Sequence, residues 1–436
     1  MRVVQTATVM IVSWIAVGSA HGESPEDYWP TWRGPNFNGV ATNGNPPITW
    51  SETNNIKWKV KMPDSGECTP VVWGNKIFIQ TAVPLGQEHG EETEPSLVRN
   101  VTVPWRFGIL CLDRETGETL WERIVREEVP HEGHHVFTSF SSYSPVTDGN
   151  HVWASFGSRG LHCYDLDGNH QWSTDLVKLR AFKAMGEGGS PALAGDNIVV
   201  LQDHEGDSKI SAFNKHTGEL SWETDRDEGT TWATPLVVTV NGSQQIIATG
   251  ARFVRGYDAT TGEVIWKCAV QLETSGAIAS PVAGFGKVFT TSGDHRSILK
   301  AIQLGLTGDV TDLNAVAWQD AEGAPYVSTP LLYDENIYFV QGNRASLSCY
   351  KADTGTPVYL AQRLEGMKDV FASPVGAAGR IYIADRRGNV LVMKHGDTFE
   401  VLATNTLDDA FDASPVIVGD ELYLKGEGYL YCIAVD

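Results

Sequence analysis

Short apolar runs alternate with Gly-, Asp- and Asn-containing turns along nearly the whole chain, and one arrangement of them recurs. Residues Ser144 to Trp172 show it most clearly. An apolar strand opens at Ser144-Pro145, and the Asp148-Gly149-Asn150 turn leads into a second strand of alternating large apolar residues. The third strand runs from Leu161 to Asp165, like Leu347 to Tyr350 elsewhere, and a turn hands over to a fourth strand that ends in Trp. That last turn is clearest at Thr116-Gly117-Glu118, Thr217-Gly218-Glu219 and Thr261-Gly262-Glu263, where Gly accepts a positive φ that a side chain resists. A proline within a strand fits an innermost strand lining a channel, because its missing N–H is not needed on an edge.

The Ser/Thr-Pro pair recurs eight times, at Pro70, Pro145, Pro191, Pro235, Pro281, Pro330, Pro374 and Pro415. From Pro145 onward the spacings are 46, 44, 46, 49, 44 and 41 residues, the period of four-stranded propeller blades. The expected fold is all-β: an eight-bladed β-propeller of four-stranded antiparallel blades over residues 56–436. The eighth unit stops after three strands at Cys432-Ile433-Ala434-Val435-Asp436, while Ile56-Lys57-Trp58-Lys59-Val60 is an orphan that ends like a fourth strand. The N-terminal strand is therefore expected to complete the last blade and close the ring. The first interval, 75 residues, is long because an acidic insertion at 83–106 separates the second and third strands of the first blade.

Compartment follows from the ends and the charge. Residues 1–20 read as a signal peptide: Arg2, an apolar run from Val9 to Val17, and Gly18-Ser19-Ala20 before His21. The run is short for a membrane span, and no Cys stands at the cleavage point to carry a lipid, so a periplasmic or secreted, soluble and monomeric protein is expected. Net charge is −21, which disfavours nucleic acid as a partner. Of the six cysteines, Cys111, Cys163, Cys349 and Cys432 share the third-strand slot of four different blades, too far apart to bridge. They are expected to be small buried apolar residues, whereas for Cys68 and Cys268 a bond stays open.

Residues 21–55 form a Trp/Pro/Gly-rich lead containing Trp29-Pro30-Thr31-Trp32-Arg33-Gly34-Pro35. Its Trp rings are expected to brace the outside or underside of the propeller, with an exposed sugar platform as the alternative. His131, His134 and His135 lie in the blade 1 to blade 2 connection with Glu132; a solvated loop is expected there, with zinc or copper the alternative. The fifth unit departs most from the pattern, with Gly308-Asp309-Val310-Thr311 before Trp318, and the seventh has Phe399 to Leu402 where others have Trp.

The repeated SPV…G…VYV…LYCYD…TGE…W pattern resembles the pyrroloquinoline-quinone (PQQ) type propeller repeat over residues 56–436. That resemblance implies one of two kinds of protein: a quinoprotein dehydrogenase using PQQ and Ca²⁺, or a non-enzymatic propeller such as BamB. The adjacent Cys-Cys pair of many quinoprotein alcohol dehydrogenases is absent, as are a haem-attachment Cys-x-x-Cys-His and recognisable calcium-ligand segments. No catalytic residue and no metal ligand is carried over.

Strand order puts the blade-to-blade linkers and the hairpins joining second to third strands on one rim. Its turns carry Arg159, Arg252, Asp294 and Arg296, Arg344, and Asp385 with Arg386. Arginine's planar fork suits carboxylates and other oxyanions, although pairing with a neighbouring blade's acid is the plainer use. Two residues before each Ser/Thr-Pro stand Glu67, Ser142, Gly188, Trp232, Ile278, Val327, Phe371 and Asp412, near the channel mouth. Trp232 could stack a planar ligand; Glu67, Glu187 and Asp412 could bind a cation or accept a proton. The expected function is an exported, BamB-like binding or assembly scaffold in the cell envelope, contacting an envelope protein, small molecule or glycan at this rim. The alternatives are a small PQQ-dependent dehydrogenase acting on an alcohol or sugar, and a glycan- or peptide-binding propeller.

Overall fold

The computed structural model describes residues 24–86, 97–270, 276–292, 298–321, 324–325 and 327–435. Each repeat forms one antiparallel sheet, and eight such sheets make a closed ring, an eight-bladed β-propeller. Blade 3 is representative, with strands Ala192–Ala194, Asn197–Gln202, Ser208–Asn214 and Leu220–Arg226 in spatial order. Its two middle strands are buried almost throughout, because neighbouring blades cover both faces, while the outer strand alternates exposed and buried positions.

The N-terminal strand closes the ring. Ile56–Lys61 lies antiparallel to Tyr429–Ile433 as the outer strand of blade 8. It even reproduces a local irregularity of the other blades. In blades 1 to 5 the register between third and fourth strands slips at Cys111/Leu112, Cys163/Tyr164, Ala212/Phe213, Gly256/Tyr257 and Ala301/Ile302, and the closing strand slips likewise between Ile56 and Trp58.

The same slot explains the cysteines. The residue opposite each outer-strand Trp is small: Cys111 faces Trp121, Cys163 Trp172, Ala212 Trp222, Gly256 Trp266, Ala301 Trp318 and Cys432 Trp58. All six cysteines are free and buried, and burial pushes the Cys111, Cys163, Cys349 and Cys432 thiols up to about 12.

Two devices join neighbouring blades. On the outside, the Trp of one blade docks on the Gly turn of the next and donates its indole N–H to a carbonyl there. The pairs are Trp58 to Arg114 (2.9 Å), Trp121 to Leu166 (3.0 Å), Trp172 to Lys215 (3.0 Å), Trp222 to Ala259 (3.2 Å) and Trp318 to Ala352 (3.0 Å). A Cβ on Gly218, at φ +73°, would stand 2.5 Å from the Trp172 ring, so the turn glycine is also a seat for the indole.

On the inside, the Ser/Thr of every Ser/Thr-Pro pair accepts a hydrogen bond on its hydroxyl from the backbone N–H of the equivalent residue in the preceding blade. The series runs from Thr69 to Ser144, Ser190, Thr234, Ser280, Thr329, Ser373 and Ser414, then back to Thr69, at 2.8–3.1 Å. This explains the motif: the proline frees one edge, and the hydroxyl couples each innermost strand to the next.

Of the two places expected for the lead, outside or underside, it takes the underside, against the innermost strands and their first turns. It enters the central channel: Trp29 exchanges backbone hydrogen bonds with Val72 of blade 1, Pro30 accepts from Thr147 of blade 2, and Val40–Ala41 pairs in parallel with Gly376 and Ala377 of blade 7. Phe37 packs against the apolar cluster of blades 4 and 5, and Asn45 donates to Gly419 of blade 8. Trp29 and Trp50 are buried, so they form no exposed platform. In the irregular fifth unit, Gly308–Asp309 adds as a parallel strand beside Val264–Ala269 of blade 4 before the chain returns to blade 5 as Val316–Asp320. The expected leader, 1–20, lies outside the described residues. Of the insertion expected at 83–106, residues 83–86 and 97–106 are described; 83–84 and 105–106 belong to the flanking strands Lys76–Pro84 and Trp105–Asp113, and Val98–Arg99 pairs with His134–His135 of the next connection.

Candidate functional site

The rim that carries the linkers is built around carboxylates. Hairpin turns leave backbone N–H groups without ladder partners, and a linker acid supplies the acceptor. Glu187 accepts from Ser158 N (2.7 Å), Ser158 Oγ (2.7 Å) and Arg159 Nη1 (3.0 Å). Glu228 accepts from the N–H groups of Arg252 (2.7 Å) and Phe253 (3.2 Å) and pairs with Arg255. Asp409 takes Gly428 and Tyr429 N–H, each at 3.0 Å, and Asp64 takes Ala82 N–H at 2.8 Å and Ser141 Oγ at 2.6 Å. Room for the acid comes from a glycine: a Cβ on Gly250 would meet Glu228, and one on Gly426 would meet Asp409, each at 2.3 Å. Glu228, Asp409, Asp64 and Arg255 were not singled out from sequence. For Glu228 and Asp409 the signal was present, an acid five or six residues before Ser/Thr-Pro matched by a glycine in a second-to-third-strand turn.

The rim residues expected from sequence separate into groups. Arg159 is buried, held by Glu187 and by Glu128 (3.4 Å), with its guanidinium over the rings of Phe107 and Phe140. Asp385 is fully buried and accepts from the N–H groups of Lys368, Arg387 and Asn389, fixing its own turn. Arg252 and Arg344 are exposed. Trp232 is half-buried, donates its indole N–H to Gly186 O (2.9 Å), and lines a cleft with Leu179, Glu187, Leu201, Asp203 and Thr230. Asp294 and Arg296 lie outside the described residues.

Glu67, Asp412 and Arg386 come together. Arg386 Nε donates to Asp412 at 2.5 Å, and its guanidinium sits between Phe371 (4.4 Å) and Phe137 (4.5 Å). Glu67 accepts from Ser142 Oγ (2.8 Å) and Ser139 N (3.2 Å). Burial, with Asp412 nearby, pushes the Glu67 carboxyl up to about 7; burial also raises Asp412, against the pull of Arg386. Phe137 belongs to the connection from blade 1 to blade 2, yet its carbonyl accepts from Arg386 of blade 7 (3.3 Å). That connection therefore reaches over the mouth. Its histidines point to different partners: His131 Nε2 to Leu179 O (2.7 Å), His134 Nδ1 to His135 O (3.0 Å), and His135 Nδ1 to Phe137 N (3.2 Å).

Around the mouth the eight equivalent positions divide by polarity. Trp232, Ile278, Val327 and Phe371 precede blades 4 to 7 and make one apolar, half-buried arc; Asp412, Glu67, Ser142 and Gly188 precede blades 8, 1, 2 and 3 and make a polar one. Such a surface offers apolar contact and hydrogen bonding side by side, the combination that suits a peptide segment.

The model of the family described as outer membrane protein assembly factor BamB matches residues 106–359. Among solved structures, BamB from Moraxella catarrhalis superposes with a TM-score of 0.59 at 10% identity, covering 86% of this chain and 98% of that one. The computationally designed Ika8 protein gives 0.53 at 14% identity, over 80% and 100%, and the C-terminal WD40 domain of Sif2 gives 0.51 at 9%, over 89% and 100%. No curated protein matches the chain. At these identities the structural likeness establishes the fold.

Proposed function

The chain belongs to the family described as outer membrane protein assembly factor BamB, and from that premise we propose that it is an exported scaffold of the cell envelope that holds a protein partner on the linker rim. The observation that carries this reading is the spanned mouth. Residues 131–142, joined to the blade 1 insertion through Val98–Arg99 and clamped to blade 7 through Phe137 and Arg386, turn the rim into one composite surface. Exposed Phe137, Arg252 and Arg344 stand on it, while the buried ionic groups are spent on one another.

We place the alternative reading, a PQQ–Ca²⁺ pair, second. It would need free guanidinium donors and a cluster of hard oxygen ligands. Arg159 and Arg386 are committed to carboxylates, and among the described residues no group of three His, Cys, Asp or Glu is placed to hold a metal ion. Photo-crosslinking residues at positions 137, 252 and 344, with position 379 at an inner-strand turn on the opposite face as control, test the proposal in intact cells. Rim probes should capture a discrete envelope protein and the control should not. Equal capture from both faces, or PQQ- and Ca²⁺-dependent oxidation of an alcohol or sugar by the purified protein, would overturn it.

A further inference from the structure

Beside the ring of Ser and Thr hydroxyls lies a buried cation with no ion-pair partner among the described residues. Arg33, in the lead, is 3% exposed. Its Nη2 donates to the carbonyls of Pro374 (3.0 Å) and Pro330 (3.3 Å), which directly follow ring members Ser373 and Thr329, and to Asn38 O (3.4 Å). Its Nε and Nη1 donors are buried without an acceptor. The other buried arginines differ: Arg159, Arg226 and Arg255 each face a carboxylate within the fold. Among the described residues no carboxylate is within ion-pair distance of Arg33, and burial, unopposed, pushes its ionisation down to about 9, which leaves it charged at neutral pH.

Burying a charge without a counter-charge is strongly unfavourable, so a guanidinium held here calls for an anion. With one N–H to hydroxyl bond per blade the ring repeats every ~5 Å, which gives a radius of roughly 6–7 Å for eight members. Each ring hydroxyl accepts a backbone N–H through a lone pair and keeps its own proton to donate.

We propose that Arg33, with the Thr329 and Ser373 hydroxyls, forms an axial receptor for a halide-sized monoanion, and that this anion fastens the lead into the channel. Nη1, or Nε on the other side of the guanidinium, supplies the charged donor and the hydroxyls uncharged ones, while enclosure by the innermost strands selects for small size. The ligand class is an inorganic monoanion such as chloride; sulfate serves as the size control.

The test uses the whole protein. Crystals grown with bromide should show an anomalous peak in contact with Arg33 Nε or Nη1, and the melting temperature should climb with chloride concentration but not with gluconate or sulfate at matched ionic strength. Arg33→Gln should bring the chloride and gluconate curves together. Should that variant fail to fold, the wild-type bromide map decides alone. Solvent without anomalous signal beside Arg33, or superimposed chloride and gluconate curves for the wild type, would overturn the proposal.

Discussion

Replacing Trp58 by Ala tests how the ring is held shut. Trp58 is 9% exposed, packs against Tyr423 with ring centroids 5.9 Å apart, and donates to Arg114 O. Truncating such a ring costs about 3–5 kcal/mol, and Trp172→Ala, at 8% exposure with the same kind of docking, should cost about as much. The two should differ in where the molecule opens. At blades 2 and 3 the chain itself runs from one sheet to the next, whereas Ile56–Lys61 is held to Tyr429–Ile433 by five residue pairs and continues covalently into blade 1. A loss of about 3 kcal/mol acting on that strand alone raises its detachment on the order of a hundredfold, since about 1.4 kcal/mol is tenfold. Native-state hydrogen exchange by mass spectrometry should therefore show amides of 56–61 and 429–433 accelerated about a hundredfold in Trp58→Ala, with that seam at wild-type rates in Trp172→Ala. Equal acceleration at the seam in both variants would refute a ring latched by one strand.

Further outcomes follow from the same contacts. Gly218→Ala should destabilise more than Gly379→Ala in chemical denaturation: both glycines have positive φ, worth about 1–2 kcal/mol, but a methyl on Gly218 also strikes Trp172, adding about 1–3 kcal/mol, whereas Gly379 has open space. The Glu67 carboxyl is raised from 4.5 to about 7 by burial, so its ionisation works against folding as pH climbs through that interval; between pH 4 and 8 the wild type should lose up to about 3 kcal/mol relative to Glu67→Gln, and parallel stability curves would contradict this. Arg386→Ala should speed protease cleavage within 131–142, and Arg386→Lys should restore little, because Lys lacks the plane that lies between Phe137 and Phe371. All six thiols should resist a thiol reagent in the native protein and react once it is unfolded, since each is buried and free.

The ring was legible because its contacts repeat: an interaction used in many blades leaves a periodic trace, as Ser/Thr-Pro, the Trp and the small residue opposite it all do. The closing strand could be found for the same reason, since Trp58 carries a fourth strand's ending. The lead's partners could not be named from sequence because each of its contacts occurs once. Trp29, Phe37 and Val40 reach blades 1, 4 and 5, and 7, and no local pattern announces partners 40 to more than 300 residues away. At the rim, equivalent turns suggested equivalent arginines, but chemistry there is decided across blades. Glu187 ties up Arg159 and Asp412 holds Arg386, while Arg252 and Arg344 are left exposed. Spacing along the chain shows which turn carries a charge and not which linker answers it.

The hydroxyl circle also bears on how such a protein can change over time. Every junction uses the same donor on one unit and the same acceptor on its successor, including the one between Ser414 and Thr69, where the chain is not continuous between neighbours. Any unit can thus follow any other, and moving the termini to a different junction leaves the inner circuit intact. What resists rearrangement is the threaded lead, whose single-use contacts mark blades 1, 2 and 7 as individuals and fix where counting begins.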